Sequence, residues 1–261
     1  MNILFLGDII GKVGRHAVRD LMPALRAKYR PDYIIANGEN AAAGFGITRS
    51  VYDELIYDIG INSLTSGNHI WDKKEIFKDF PAMDKLLRPL NYPACMHGKG
   101  YRIDMVQETG VCVISLLGRV FMNSNIDCPF RTMDKIIEEV KDKAKVIIVD
   151  FHAEATSEKR ALGFYLDGKV TAVIGTHTHI QTADEQILDK GTAYISDAGM
   201  VGPRDSVLGM QTQTAINRFL YGINEKFEVV ETGEVDLCGC LLTIDNATGK
   251  ATAISRIQLS K

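Results

Sequence analysis

Five short apolar runs in this chain end alike, in residues that can hold a cation or move a proton. That recurrence constrains the fold more than any other feature. The clearest run is 170–179, VTAVIGTHTH. Apolar and small residues lead into Gly175, and His177 and His179 follow two residues apart. The run predicts a buried strand, with Gly175 letting the backbone turn sharply where the strand stops. The two imidazoles then lie just past the carboxyl end, the edge at which open α/β sheets bind ligands. Imidazoles so spaced suit two neighbouring metals, or one metal through a bend. Taken alone, they also read as loop histidines with no ligand duty.

The other four runs are 2–6, closing on Gly7 and Asp8; 33–36, before Asn37, Gly38, Glu39 and Asn40; 62–65, before Ser66, Gly67, Asn68 and His69; and 145–151, closing on His152. Each has a plain reading. Asp8 is a possible helix cap, Glu39, Asn40 and Asn68 are turn formers, and His152 is a satisfied histidine at a core edge. Together they are harder to explain that way. Independent turns have no reason to place a carboxylate, amide or imidazole at every strand end on one rim.

Between these runs the first half alternates strand with helix. Ala17, Val18, Leu21, Met22 and Leu25 recur at three- and four-residue spacing and predict a helix over 14–28. Thr48 or Ser50 caps a second helix reaching about residue 59. Residues 71–100 break the pattern, with Pro81, Pro89 and Pro93 as punctuation, and read as short helices and loops forming a small cap beside the site. Residues 101–105 and 111–117 read as a hairpin, with helices at 133–141 and 157–165. Segments 186–188, 192–196, 227–231, 235–244 and 251–257 alternate enough to be mostly antiparallel strands. One domain over 1–261, with two stacked mixed sheets and helices outside, satisfies this order.

Composition narrows the function. The chain has 261 residues, 46% hydrophobic and 24% charged, with a formal net charge of −3. That balance excludes a broad basic face and so a duplex nucleic-acid partner. It leaves room for one small phosphorylated substrate, because metal ions carry positive charge locally. The apolar N-terminus lacks a basic region and is interrupted by Asp8, so it reads as a first strand rather than a signal peptide. No run approaches the roughly 18 apolar residues of a membrane span. Five cysteines form no disulfide framework, which fits a cytoplasmic, reduced protein. Cys238 and Cys240 share a strand face and read as buried rather than as a metal hook. Gly7, Gly11 and Gly14 have the wrong spacing for a dinucleotide fingerprint. Arg204, in a glycine-bearing loop over 199–209, is either a phosphate contact or a solvated arginine. Oxygen and nitrogen ligands without thiolate favour Mn, Fe or Zn in an open site over a closed structural zinc site.

These motifs resemble a known family. Gly7–Asp8, Gly38–Glu39–Asn40, Gly67–Asn68–His69, Phe151–His152 and Gly175–Thr–His177–Thr–His179 look like the ordered motifs of calcineurin-like metallophosphoesterases. GDIIGKVGR (7–15), NGENAAAGFGIT (37–48), SGNHIWD (66–72), DFHAEATSEK (150–159) and IGTHTHIQTAD (174–184) are similar to the YmdB branch of bacterial cyclic-nucleotide phosphodiesterases. The resemblance covers nearly the whole chain. It implies a four-layer αββα sandwich, two divalent metal ions, Fe or Mn with Zn as a further choice, and a homo-oligomer. It also implies roles. Asp8, Glu39, Asn40 and His179 match the ligands of a first metal, and Glu39, Asn68, His152 and His177 those of a second, with Glu39 bridging. His69 matches the proton donor, and Asn40 and His69 lie where substrate binds. Ile10 departs from the wider superfamily, where that position holds a histidine ligand, and Asn40 replaces it. The implied activity is hydrolysis of a 2′,3′-cyclic nucleotide. The alternatives are a phosphomonoesterase or single-strand nuclease with the same centre, and a non-catalytic nucleotide- or RNA-binding regulator.

Overall fold

The computed structural model describes residues 1–122, 125–222 and 224–261. Strand β1 (Asn2–Ile9) leads into helix α1 (Gly11–Tyr29), then β2 (Tyr33–Asn37). Helix α2 (Arg49–Asp53) continues as a π-helical turn, Glu54–Asp58, before the short β3 (Ser63–Thr65). Thr48 caps α2, its hydroxyl accepting the Val51 N–H at 3.3 Å. Helix α1 ends where Arg30 takes a left-handed φ of 45° and its N–H closes on the Arg26 carbonyl.

A 3₁₀ turn at Asn68–Trp71 leads into residues 71–100, which carry helix α3 (Ile76–Asp79) and a second 3₁₀ turn at Phe80–Ala82. A bridge between Leu64 and Leu86 fastens this segment to the body, and one between Leu87 and Lys99 closes it on itself. Strands β4 (Tyr101–Val106) and β5 (Thr109–Leu117) form the expected hairpin. Gln107 and Glu108 both have positive φ at its turn, which matches the twist of the flanking strands. Helix α4 (Pro129–Val140) starts four residues before the apolar spacing suggests, because Pro129 pre-sets its first turn. There follow β6 (Val146–His152), α5 (Thr156–Leu166) and β7 (Ala172–Thr176). Then come β8 (Gln186–Ile187), β9 (Ala193–Ile195), β10 (Met200–Pro203), α6 (Thr212–Tyr221), β11 (Val235–Ile244) and β12 (Ala251–Ser260).

Among the described residues the strands form two mixed sheets of six, ordered β12-β11-β10-β1-β2-β3 and β4-β5-β6-β7-β9-β8. Period-two alternation sorts their side chains into three cores. Ile3, Phe5 and Ile35 face Val113, Ile148 and Ile174 between the sheets. Leu4, Leu6 and Ile34 face outward onto Val18, Met22 and Leu25 of α1. Ile114, Ile147 and Val149 face outward onto Met133, Ile136, Leu162 and Leu166 of α4 and α5. The result is the four-layer αββα sandwich.

The last third differs from the expectation in three ways. β9 runs parallel to β7, and β10 parallel to β1, so this region is less antiparallel than alternation suggests. Residues 227–231 are not a strand. They form one bridge, Val229 with Met210, because Val229 packs over the bare Cα atoms of Gly11 and Gly44 instead of pairing along its length. Residues 200–203, expected as loop, are a strand, and Gly202 suits it because a Cβ there would press on Ile10.

Candidate metal centre

The two sheets are joined at one end by a buried carboxylate. Alternation in β6 puts Ile148, Asp150 and His152 on the face between the sheets. Asp150 there accepts hydrogen bonds from Asn37 Nδ2 at 3.0 Å, from Thr176 Oγ1 at 2.6 Å and from Thr65 Oγ1. Those donors lie at the ends of β2, β7 and β3, so the carboxyl ends of strands from both sheets meet on one rim. Burial raises the Asp150 carboxyl from its ordinary range. The sequence reading missed this residue, although the inward phase of β6 marks it.

Asp150 also orients His152. Thr176 Oγ1 donates to Asp150 and therefore accepts from His152 Nδ1, 2.9 Å away. That turns His152 Nε2 toward Glu39 Oε1 at 2.8 Å and His177 Nδ1 at 3.0 Å. Donor atoms of Glu39, His152 and His177 all lie within 4.8 Å of one another. Asp8 joins them, accepting the His177 N–H at 3.2 Å through Oδ2, with Oδ1 3.8 Å from His152 Nδ1. Glu39 Oε2 accepts the His69 N–H at 3.1 Å. The closeness depends on Gly67, because a Cβ there would occupy the space of the Glu39 carboxylate and the His152 ring.

The rim leaves several groups without hydrogen bonds. Asp8 Oδ1, Glu39 Oε1, Asn40 Oδ1 and Asn68 Oδ1 are buried and lack a hydrogen-bond partner. The Glu39–His152 approach is an ion-pair contact and lacks hydrogen-bond geometry. Buried acceptors are normally satisfied, and oxygen atoms facing imidazole nitrogens are a donor set for a divalent cation. Burial pushes the His152 imidazole down, but Glu39, then Asp8 and Asp150, outweigh it and hold it at about 9. Burial likewise raises Glu39, but His152 and then His69 hold it at about 2. Asp8 is pushed well up, chiefly by burial. Burial and the neighbouring His152 charge take His177 down to about 3.

The turn after β7 departs from the sequence expectation. Gly175 lies within the strand and does not bend it. What it provides is close approach, since a Cβ there would strike the Ser196 carbonyl at the end of β9. The bend falls on the histidines, with φ of 97° at His177 and 65° at His179. Such conformations cost about 1–3 kcal/mol each and collect at functional sites. His179 stands slightly apart, with Nδ1 on the Leu208 carbonyl at 3.1 Å, which leaves Nε2 as its lone-pair nitrogen. His177 Nε2 meets Glu154 Oε2 at 3.0 Å, another neighbour the sequence did not single out.

Around the rim, Asn40 Nδ2 donates to the Gly44 carbonyl at 2.9 Å. His69 lies in the 3₁₀ turn with its side chain 28% exposed, Nδ1 2.8 Å from Asp72 Oδ2 and its ring edge-on to Phe45. Arg204 is placed otherwise. Its guanidinium is bound to Asp236 Oδ1 at 2.8 and 3.0 Å and to Glu234, so it faces neighbouring carboxylates. Cys238 and Cys240 are both buried free thiols. Burial raises both, Cys238 to about 11, which keeps them protonated and unsuited to hold a metal.

Comparison with known proteins gives the family and the fold. A family model described as YmdB-like protein matches residues 4–257. A 2′,3′-cyclic-nucleotide 2′-phosphodiesterase from Bacillus subtilis is 47% identical over 260 residues, 100% of this chain and 97% of the relative. A hypothetical protein from Thermus thermophilus superimposes with a TM-score of 0.93 at 39% identity, covering 100% of both chains. A phosphatase from Mycoplasma pneumoniae gives a TM-score of 0.93 at 35% identity, over 100% of this chain and 93% of its own.

Proposed function

The chain belongs to the YmdB-like protein family, and we propose that it is a metal-dependent phosphodiesterase that opens 2′,3′-cyclic nucleotides. The observation that carries this reading is the set of unpaired buried acceptors around Glu39, His152 and His177. The residues fit a pair of divalent cations, with Asp8, Glu39, Asn40 and His179 to hold one and Glu39, Asn68, His152 and His177 to hold the other. When bound, such ions supply Lewis acidity and activate a water for attack on phosphorus.

The chain's own residues do the rest. Asp8 and Glu39 return two negative charges and the amides and neutral imidazoles none, so the loaded centre stays attractive to an anionic phosphodiester. Asp150, through Thr176, sets the His152 tautomer. His69 is the proton donor. Asp72 takes its Nδ1, and Nε2 is left to protonate the departing ribose oxygen. The Bacillus subtilis relative supports assigning that oxygen as the 2′ one, and a 3′-phosphate remains. Asn40 and His69 border the place where substrate sits. Iron or manganese suits the oxygen-rich set, with zinc also accommodated. Free thiols at every cysteine suit a cytoplasmic setting. Among the described residues no helix is long and apolar enough to cross a membrane. Helix α6 exposes Ile216, Phe219, Leu220 and Tyr221, which supports self-association.

A phosphomonoesterase is the second reading, favoured by the Mycoplasma pneumoniae phosphatase of the same fold. Phosphorus NMR separates the two. Protein with Mn²⁺ is incubated with 2′,3′-cyclic AMP, a phosphomonoester and a short single-stranded RNA. Metal-dependent conversion of the cyclic ester to the 3′-monophosphate is expected. Faster turnover of the monoester or the RNA would move the function to the rival.

A further inference from the structure

We propose that Asp197, paired with Lys159, is a positioning device that holds His177 and His179 in cation-binding geometry; this rests on the reading of both histidines as cation ligands. Asp197 is fully buried and Lys159 is 2% exposed, with Nζ 2.9 Å from Oδ2. The same Oδ2 accepts the Thr178 N–H at 3.0 Å and the Thr178 hydroxyl at 2.6 Å. Oδ1 accepts the Gly199 N–H at 2.8 Å, and the Asp197 N–H donates to Thr182 Oγ1 at 2.9 Å. Thr178 is the residue between the two histidines, and both histidines carry the strained left-handed φ. Asp197 therefore grips the centre of the strained turn, and its own position is fixed from three sides.

The bare Cα of Gly175 makes this grip possible. It lets the end of β9 approach β7, where the Ala198 N–H reaches the Gly175 carbonyl at 2.8 Å. It also lets the Lys159 methylenes pass over the strand. A fully buried ion pair is weak evidence of added stability, because apolar replacements are often neutral or better. What this pair supplies is direction. The ammonium neutralises Asp197 and keeps that carboxylate on Thr178, so it does not compete as a ligand beside Asp8.

The test uses the full chain stripped of metal, with Mn²⁺ alone as the probe. Mn²⁺ affinity is measured by calorimetry, and the metal-free melting temperature is recorded alongside. The variants are Asp197→Asn, Thr178→Val and Thr178→Ser, with His177→Ala as reference. Removing a group that orients ligands typically costs 10–100-fold in metal affinity, and a loss of about that size is expected for Asp197→Asn and Thr178→Val. Thr178→Val should keep the wild-type metal-free melting temperature, and Thr178→Ser should bind as wild type. Unchanged affinity in both Asp197→Asn and Thr178→Val, while His177→Ala loses it, overturns the positioning role alone. So does a loss that follows the melting temperature and is not rescued by serine. Unchanged affinity in His177→Ala overturns the ligand reading, and the positioning role falls with it.

Discussion

His69 is tied at two points, its N–H on Glu39 and its Nδ1 on Asp72. Removing its ring leaves the N–H on Glu39 in place. His69→Ala should therefore keep its full metal content by elemental analysis and still hydrolyse slowly, by about 10²–10⁴-fold if the ring is a general acid. The loss should be smallest on an ester with a good leaving group, and an equal loss on activated and natural esters would remove His69 from that role. Glu39 is read as serving both cations, so Glu39→Gln should lower binding at both together. A variant that still carries two metals per chain would refute the bridging assignment. Gly67→Ala addresses the same pair sterically. Its Cβ would displace Glu39 or His152, and Mn²⁺ affinity should fall sharply although no ligand is removed.

At the scale of elements, the rim depends on segments at the ends of neighbouring strands, in each of the two sheets, approaching more closely than side chains allow. Gly7 faces the Gly199 carbonyl across β1 and β10, and Gly175 faces the Ser196 carbonyl across β7 and β9. In both places the glycine matters for what lies opposite, and neither has a left-handed φ. Gly175→Ala should cost at least the 1–3 kcal/mol typical of overpacking, read as a lower urea midpoint with an unchanged slope. A fully stable Gly175→Ala protein would mean that β7 and β9 can separate freely. The sequence revealed β1, β2, β3, β6 and β7 through their apolar runs, and β4, β5, β8, β9, β11 and β12 through apolar or alternating segments. β10 was hidden because Gly202 and Pro203 read as loop, and its pairing with β1 and β11 overrides that local signal. Helix α6 carries Ala215, Ile216, Phe219 and Leu220 at helical spacing, a stripe the sequence reading did not use, and of these only Ala215 is buried.

Across the whole molecule, folding, proton uptake and metal uptake are linked through His152. In the metal-free protein its folded value, about 9, lies above the ordinary imidazole value of 6.5. Its stabilising contribution is therefore complete below pH 6.5 and is lost as pH rises toward 9. A divalent cation must displace that proton, so Mn²⁺ affinity should rise over the same interval. Calorimetry in buffers of different ionisation enthalpy should detect proton release on Mn²⁺ binding near pH 7. Absence of release would show that His152 is already neutral. Saturation with Mn²⁺ should also raise the melting temperature, by about 2.7 kcal/mol of added stability at one hundred times the dissociation constant. The sequence by itself determined two stacked mixed sheets with helices outside, through runs whose period and length suit buried strands and facing helices, and the family resemblance implied the four-layer αββα order. It also determined which strand ends carry cation-binding side chains, because those residues adjoin the runs directly. Only the tertiary structure decided how the ends converge. Asp150 and Asp197 act on residues distant along the chain, and the left-handed turn at His177 and His179 is held by Asp8, Asp197 and the Leu208 carbonyl. Such contacts leave no periodic trace in a single sequence, because they depend on which strands pair and on how the two sheets stack.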